Sequence, residues 1–298
     1  MLIGGSLLGF AGRQKLFCAV ARNATICITS PDGITWTQQT LPTTANWTSV
    51  AWNGSVFCAV ATASATAATS PDGITWTQRT LPTTANWTSV AWNGSIFCAV
   101  NQSGYSPSIT ATSPDGITWT QRSNYYGDSV AIAWNGSIFC AISHNSSYAF
   151  ISPDGINWTL QYLPTAASWS SVAWNGSVFC VVANGYYAAT SPDGITWTQR
   201  TLPANKAWNA IAWNGSVFCT VAGASAAAAT SPDGINWTQR TLPTTASWSS
   251  VAWNGSVFSA VAAETNDYIA TAATSPDGIT WTQQTIPTGF SWSSITSS

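Results

Sequence analysis

The chain has 298 residues, of which 8 are Lys or Arg and 10 are Asp or Glu, a charged fraction of 6% against roughly 25% in ordinary globular domains. A net charge of −2 excludes the basic footprint of a nucleic-acid binder and electrostatic capture by anionic membranes; 45% apolar residues with 19 Trp exclude a disordered chain. No uninterrupted apolar run approaches the ~20 residues of a membrane helix, and residues 1–298 are read as one domain around one core.

In chain order, the first segment is Met1 to Phe10. It is apolar but lacks the basic region that opens a signal peptide. It aligns without gaps to later segments, Gly9-Phe10-Ala11 against Ser49-Val50-Ala51, and reads as a degenerate strand. Six of the 7 Cys, namely Cys18, Cys58, Cys98, Cys140, Cys180 and Cys219, sit in one recurring phrase, F-C-[AVT]-[VI]. Positions equivalent by repeat lie in different units and seldom meet at disulfide distance, so they read as buried free thiols. Cys27 stands outside the phrase, and a Cys18–Cys27 cross-strand pair stays open. N-x-[ST] triplets such as Asn46-Trp47-Thr48 recur because the repeat recurs, and say little about glycosylation.

The phrase S-P-D-G-I-[TN]-W occurs seven times, with its Asp at Asp32, Asp72, Asp115, Asp154, Asp193, Asp233 and Asp277, a spacing of about 41 residues that matches propeller blades. The phrase A-W-N-G-S-[VI]-F occurs six times, from Trp52 to Trp253. Each unit predicts four short strands. Strand A runs from Trp47 to Trp52, and Asn53-Gly54 follows as a hairpin turn of type I′. Strand B is Val56 to Val60. A variable loop leads to strand C at Ala67 to Thr69, and Ser70-Pro71-Asp72-Gly73 makes the next turn. Strand D is Ile74 to Gln78, and L-P-T-T links to the next unit. No segment sustains a 3.6-residue period, so helix is not expected.

Seven units of four strands predict an all-β, seven-bladed β-propeller of antiparallel blades, rather than an open solenoid, which would need polar caps. Inner strands apolar on both parities, such as Val56 to Ala61, fit blades packed on both faces, and Trp fills the wedges between them. Ser291 to Ile295 copies the start of strand A. Residues 291–297 are therefore favoured over residues 6–11 for the innermost strand of blade 1, which would close the ring.

Ser30-Pro31-Asp32-Gly33-Ile34-Thr35-Trp36 resembles the Asp-box of sialidase-type (BNR) repeat propellers, one residue shorter between Asp and Gly. The resemblance covers nearly the whole chain. It implies a propeller in which the box stiffens the hairpin between the two outer strands, away from any catalytic face. Similar non-catalytic propellers occur in bacterial surface, glycan-binding and phage proteins.

Catalysis is not expected. Seven of the ten acids are the box Asp, leaving Asp128, Glu264 and Asp267, and the one His is His144. These supply neither a paired-carboxylate site nor a Ser-His-Asp arrangement. A single carboxylate per turn is too few for Ca²⁺, and one His without clustered Cys excludes an ordinary zinc site, so no metal and no cofactor is expected. Arg79, Arg122, Arg200 and Arg240 occupy one repeat position on strand D.

One face of the propeller should carry near-identical N-G and S-P-D-G turns. The other should carry B–C loops that vary, at Thr62–Thr66, Asn101–Ile109, Ser143–Tyr148, Asn184–Tyr187, Gly223–Ala227 and Ala263–Ile269, and the divergent blade 3–4 link from Ser123 to Asp128. On that variable face fall the candidate ligand-binding residues Tyr105, Tyr125, Tyr126, Asp128, His144, Tyr148, Tyr186, Tyr187, Asp267 and Tyr268. Tyr joins a flat apolar face to a hydroxyl, which suits sugar and protein surfaces. The expected function is a non-enzymatic adhesion module for a cell-surface glycan or receptor, on a virion or extracellular surface. The alternative is a structural virion or appendage component docked to a protein partner. Neither involves nucleic acid or membrane insertion.

Overall fold

The computed structural model describes residues 15–103, 108–122 and 127–298. Those residues form 24 strands, and no helix occurs among them. Blade 1 contains β1 (Phe17–Arg22), β2 (Ala24–Ser30) and the first part of β3 (Thr37–Trp52). The rest of β3 opens blade 2, which adds β4 (Phe57–Thr62), β5 (Ser64–Ser70) and the start of β6 (Thr77–Trp92). Blade 3 takes the end of β6 with β7 (Phe97–Gln102), β8 (Thr110–Ser113) and β9 (Thr120–Gln121). Blade 4 is β10 (Ser129–Trp134), β11 (Phe139–Ser143), β12 (Ser146–Ser152) and β13 (Thr159–Ala167). Blade 5 is β14 (Trp169–Trp174), β15 (Phe179–Ala183), β16 (Gly185–Ser191) and the start of β17 (Thr198–Trp213). Blade 6 continues with β18 (Phe218–Gly223), β19 (Ser225–Ser231) and the start of β20 (Thr238–Trp253). Blade 7 continues with β21 (Phe258–Ala263), β22 (Thr271–Ser275) and β23 (Thr282–Gln284). The last strand, β24 (Ser291–Ser297), pairs antiparallel with β1, Phe17 opposite Ser297 and Arg22 opposite Ser291. The favoured segment thus fills the innermost slot of blade 1. The rival residues 6–11 lie outside the described residues.

Four of the inter-blade passages are single 16-residue strands rather than the expected L-P-T-T loops. Pro tolerates extended φ and needs no ladder donor at an edge. The Leu before it anchors the crossing, because Leu41, Leu81, Leu202 and Leu242 are each 1% exposed.

The core is divided into seven clusters, one between each pair of neighbouring blades. Between blades 1 and 2, Cys18, Val20 and Cys27 meet Trp47, Val50, Phe57, Ala59 and Trp76. All seven Cys are buried free thiols, Cys18 and Cys27 included. Burial alone pushes the Cys140 thiol up to about 12, so it stays protonated and inert at neutral pH. Blade 7 carries Ser259 where the other blades carry Cys, and its buried hydroxyl has no hydrogen-bond partner.

Candidate functional site

The first face is built from two turns that hold themselves. In the box of blade 2, the Asp72 carboxylate accepts the N–H groups of Ile74 and Thr75, each at 2.8 Å, and the Ser70 hydroxyl at 2.9 Å. Ser70 Oγ in turn accepts the Gly73 N–H at 2.8 Å, and the Trp76 indole N–H donates to Gly73 O at 3.0 Å. Gly73 has φ +75°, and a Cβ there would lie 3.0 Å from Thr29 of blade 1. The position therefore needs Gly both for its backbone and for the close approach of the neighbouring blade. Partial burial pushes the Asp72 carboxyl up, but the bonds from Thr75, Ile74 and Ser70 outweigh it, and the net shift is down. The box Asp residues are thus spent on their own turns.

The N-G turn differs from the type I′ expectation. Gly54 has φ +95°, while Asn53 is not among the residues with positive φ. Asn53 N–H donates to Val56 O at 3.1 Å, and Asn53 Oδ1 accepts the N–H groups of Ser55 and Val56 at 2.8 and 2.7 Å. The side chain satisfies the turn that a second left-handed residue would otherwise have made. N-G and box turns of adjacent blades meet on one face, where Asn254 Nδ2 donates to Pro31 O at 3.3 Å. Ile34, Ile74, Ile117, Ile195, Ile235 and Ile279 of the boxes stand exposed on this face, 44–56% accessible.

On the opposite face most expected B–C loops are tight turns. One residue in the left-handed region, Asn23, Ala63, Asn145 or Ala224, reverses the chain, and in blade 5 Gly185 does so at φ +94°. Tyr148 therefore lies on strand β12, and Tyr186 and Tyr187 lie on β16, not in loops. A single left-handed residue completes each reversal, so the sequence overstates the length of these loops. A long described loop remains in blade 7, from Glu264 to Ala270, where Thr265 N–H donates to Tyr268 O at 2.9 Å.

Neighbouring innermost strands are tied around the central axis by one side chain per blade. Thr48 donates to Trp87 O (2.8 Å), Thr88 to Ser129 O (2.7 Å), Ser170 to Trp208 O (2.5 Å), Asn209 to Trp248 O (2.8 Å), Ser249 to Trp292 O (2.7 Å) and Ser293 to Trp47 O (2.7 Å). In blade 4 this position is Val130, which has no hydroxyl. His144 takes over: its Nδ1 lies 3.2 Å from Trp169 O, a contact that requires the proton on Nδ1. Its backbone N–H donates to Asp128 O at 3.0 Å, and Asp128 Oδ1 accepts the Ser103 N–H at 2.9 Å. Asp128 and His144 come together, then, but as a clamp joining blades 3, 4 and 5. Blade 4 is rebuilt further. Ser129 replaces the fully buried Trp of the other innermost strands, Phe150 fills inward at 3% exposure, and a Cβ at Gly127 would collide with the Phe150 ring at 2.3 Å.

The predicted tyrosines fall into separate groups. Tyr148, Tyr186 and Tyr187 lie at the rim of blades 4 and 5, whose strands β13 and β16 are in contact. Tyr162, absent from the sequence-based set, joins them. It faces Tyr148 across the strand pair with ring centroids 5.8 Å apart at 74°, and it is 62% exposed. Aligning the repeats would have revealed it, because Tyr162 stands where blades 1, 2, 5 and 6 have Thr40, Thr80, Thr201 and Thr241. Asp267 and Tyr268 lie in blade 7, beside a groove of about 440 Å³ lined also by Thr244, Gln284 and Thr288. Tyr105, Tyr125 and Tyr126 lie outside the described residues. Arg79, Arg122, Arg200 and Arg240 each hold a strand-C Thr hydroxyl through Nε at 2.7–2.9 Å. Among the described residues no three His, Cys, Asp or Glu side chains gather at metal-holding distance.

No family model matches the chain, and no curated protein matches it. Solved structures do. A catalytically inactive virginiamycin B lyase from Staphylococcus aureus with quinupristin is similar at TM-score 0.72 and 11% identity, over 84% of this chain and 88% of that one. A streptogramin B lyase structure is similar at TM-score 0.69 and 11% identity, over 91% and 88%. The computationally designed Ika8 protein is similar at TM-score 0.58 and 11% identity, over 90% and 83%. At such identities the likeness shows the fold: the chain is an all-β propeller.

Proposed function

We propose that this protein is a non-enzymatic binding module that recognises a cell-surface glycan through the variable face, on a virion or another extracellular surface. The observation that carries the reading is the exposed pair Tyr148 and Tyr162, in ring contact across β12 and β13, with Tyr186 and Tyr187 exposed on β16 of the next blade. Buried tyrosines would be packing; these are 39–62% exposed, and Tyr162 stands where blades 1, 2, 5 and 6 have Thr. Their ring faces suit the apolar face of a sugar, and their hydroxyls its rim. The box turns, read as a shortened Asp-box, serve stability on the other face. No enzymatic role is proposed.

The test is a broad glycan array with purified protein and the Tyr148→Ala/Tyr162→Ala variant beside it. Specific binding that falls at least tenfold in the variant, at unchanged melting temperature, is the expected result. Specific binding retained in full would remove the Tyr cluster from the site. A second reading is favoured by the exposed box isoleucines: a structural component docked through the uniform face to a protein partner. An array with no specific signal would favour it.

A further inference from the structure

Around the mouth of the central channel on the variable face, the residue five after the strand-B Phe is Arg22, Thr62, Gln102, His144, Asn184, Gly223 and Ala263 in blades 1 to 7. No other position of the inner strands varies so widely. Blades 6 and 7 place their smallest side chains there, and next to them blade 1 places the one cation of the set. A groove of about 420 Å³ opens at that sector, within the ~300–1,000 Å³ of small-ligand sites. It is lined by Arg22, Asn209, Ser247, Thr265 and Ser291, and by no acidic side chain. Asn209 and Gly223 depart from the repeat together. Asn209 stands where the ring otherwise has Thr or Ser, or Val in blade 4, and a Cβ at residue 223 would lie 2.5 Å from its Nδ2. Gly223 thus admits the Asn209 amide, which donates to Trp248 O and keeps its carbonyl oxygen as an acceptor.

We infer that this groove is a subsite for an acidic sugar, with the Arg22 guanidinium taking the sugar carboxylate and Asn209, Ser247 and Ser291 taking its hydroxyls. The inference rests on the glycan reading for its ligand class but uses none of the tyrosines. Among the described residues no acidic side chain lines the groove, and a guanidinium matches a carboxylate bidentately. Side chains that both donate and accept match sugar hydroxyls, which do the same. An acidic peptide would satisfy Arg22 but not the hydroxyl lining.

The test is calorimetric titration with three soluble probes: a galacturonate trisaccharide, a glucuronate disaccharide and sialyllactose. The methyl ester of the best binder and a tri-glutamate peptide serve as counterparts. The expected result is saturable binding of at least one probe, weakened at least tenfold by esterification and by Arg22→Gln, and weakened by Gly223→Ala. Tyr148→Ala/Tyr162→Ala should leave it within twofold, so that loss of array binding and loss of this subsite are read separately. No binding of any acidic probe, binding unchanged in Arg22→Gln, or equal binding of the tri-glutamate peptide would overturn the inference.

Discussion

Deleting residues 291–298 is expected to abolish the native ring, leaving a chain that elutes as aggregate and shows no cooperative thermal transition. The segment supplies the innermost strand of blade 1, pairing with β1 along its whole length. Without it, β1 becomes an open edge facing the channel, and Phe17, Ala19 and Ile28 lose the cluster they share with Trp292 and Ile295. Trp292 is fully buried, with its indole N–H on Pro287 O at 3.2 Å. Trp292→Ala alone should cost about 3–5 kcal/mol, a large share of the ~5–15 kcal/mol that holds a typical domain. Ser293 donates to Val20 O within blade 1 at 3.1 Å and to Trp47 O of blade 2 at 2.7 Å, so Ser293→Ala should cost about 1–2 kcal/mol. Circular dichroism melts of the three variants check this order. A truncated protein that melts with wild-type cooperativity would show that β24 does not close the ring.

Acid should unfold the protein over a narrow pH interval, because one device is repeated seven times. Each box Asp has its pKa lowered in the folded state. A group whose folded pKa lies below its unfolded one stabilises the fold above the unfolded value, near 3.8 here, and loses that contribution as pH falls through the folded value. Each box contributes little, because these carboxylates are largely solvated and screened. The seven act in the same direction over the same range, so the folded state must take up several protons to unfold. Near-ultraviolet circular dichroism of the tryptophans should therefore stay constant from pH 7 to about 4 and collapse steeply below it. Asp72→Asn combined with Asp233→Asn should lower stability at pH 7, with the gap to wild type closing as pH falls below the folded pKa. A gap that stays constant with pH would mean that the carboxylate charge plays no part in the turn.

How far the sequence reaches depends on which signals the repeat carries. The spacing of the S-P-D-G phrase fixes the number of blades, and the copy of W-S-S-[VI] at Trp292 names the strand that closes the ring. Both rest on residues whose packing is the same in every blade. The sequence overstates loops where chain reversal depends on a single backbone conformation. Ala63 and Ala224 take left-handed φ with no side-chain signal, and in blades 4 and 5 a single left-handed residue, Asn145 or Gly185, completes the reversal, so Tyr148, Tyr186 and Tyr187, expected in loops, lie on strands. It also misassigns residues whose role is compensation. His144 looks like an isolated functional His, but it replaces the hydroxyl that Val130 lacks, and this exchange between strands is visible only when Trp169 O is in place beside it. Tyr162 and Arg22 were legible by aligning the repeats, since each breaks a column that is otherwise small or polar. What no alignment of blades shows is the space around them: the groove beside Arg22 is lined by Ala263 and by Asn209, whose amide Gly223 admits.

The measurement that tests the functional account most directly is hydrogen–deuterium exchange of the full chain with and without its strongest glycan from the array. The account predicts slower exchange in β12, β13 and β16, with the seven box turns unchanged. Protection confined to the box and N-G turns would contradict it, and would place recognition on the uniform face.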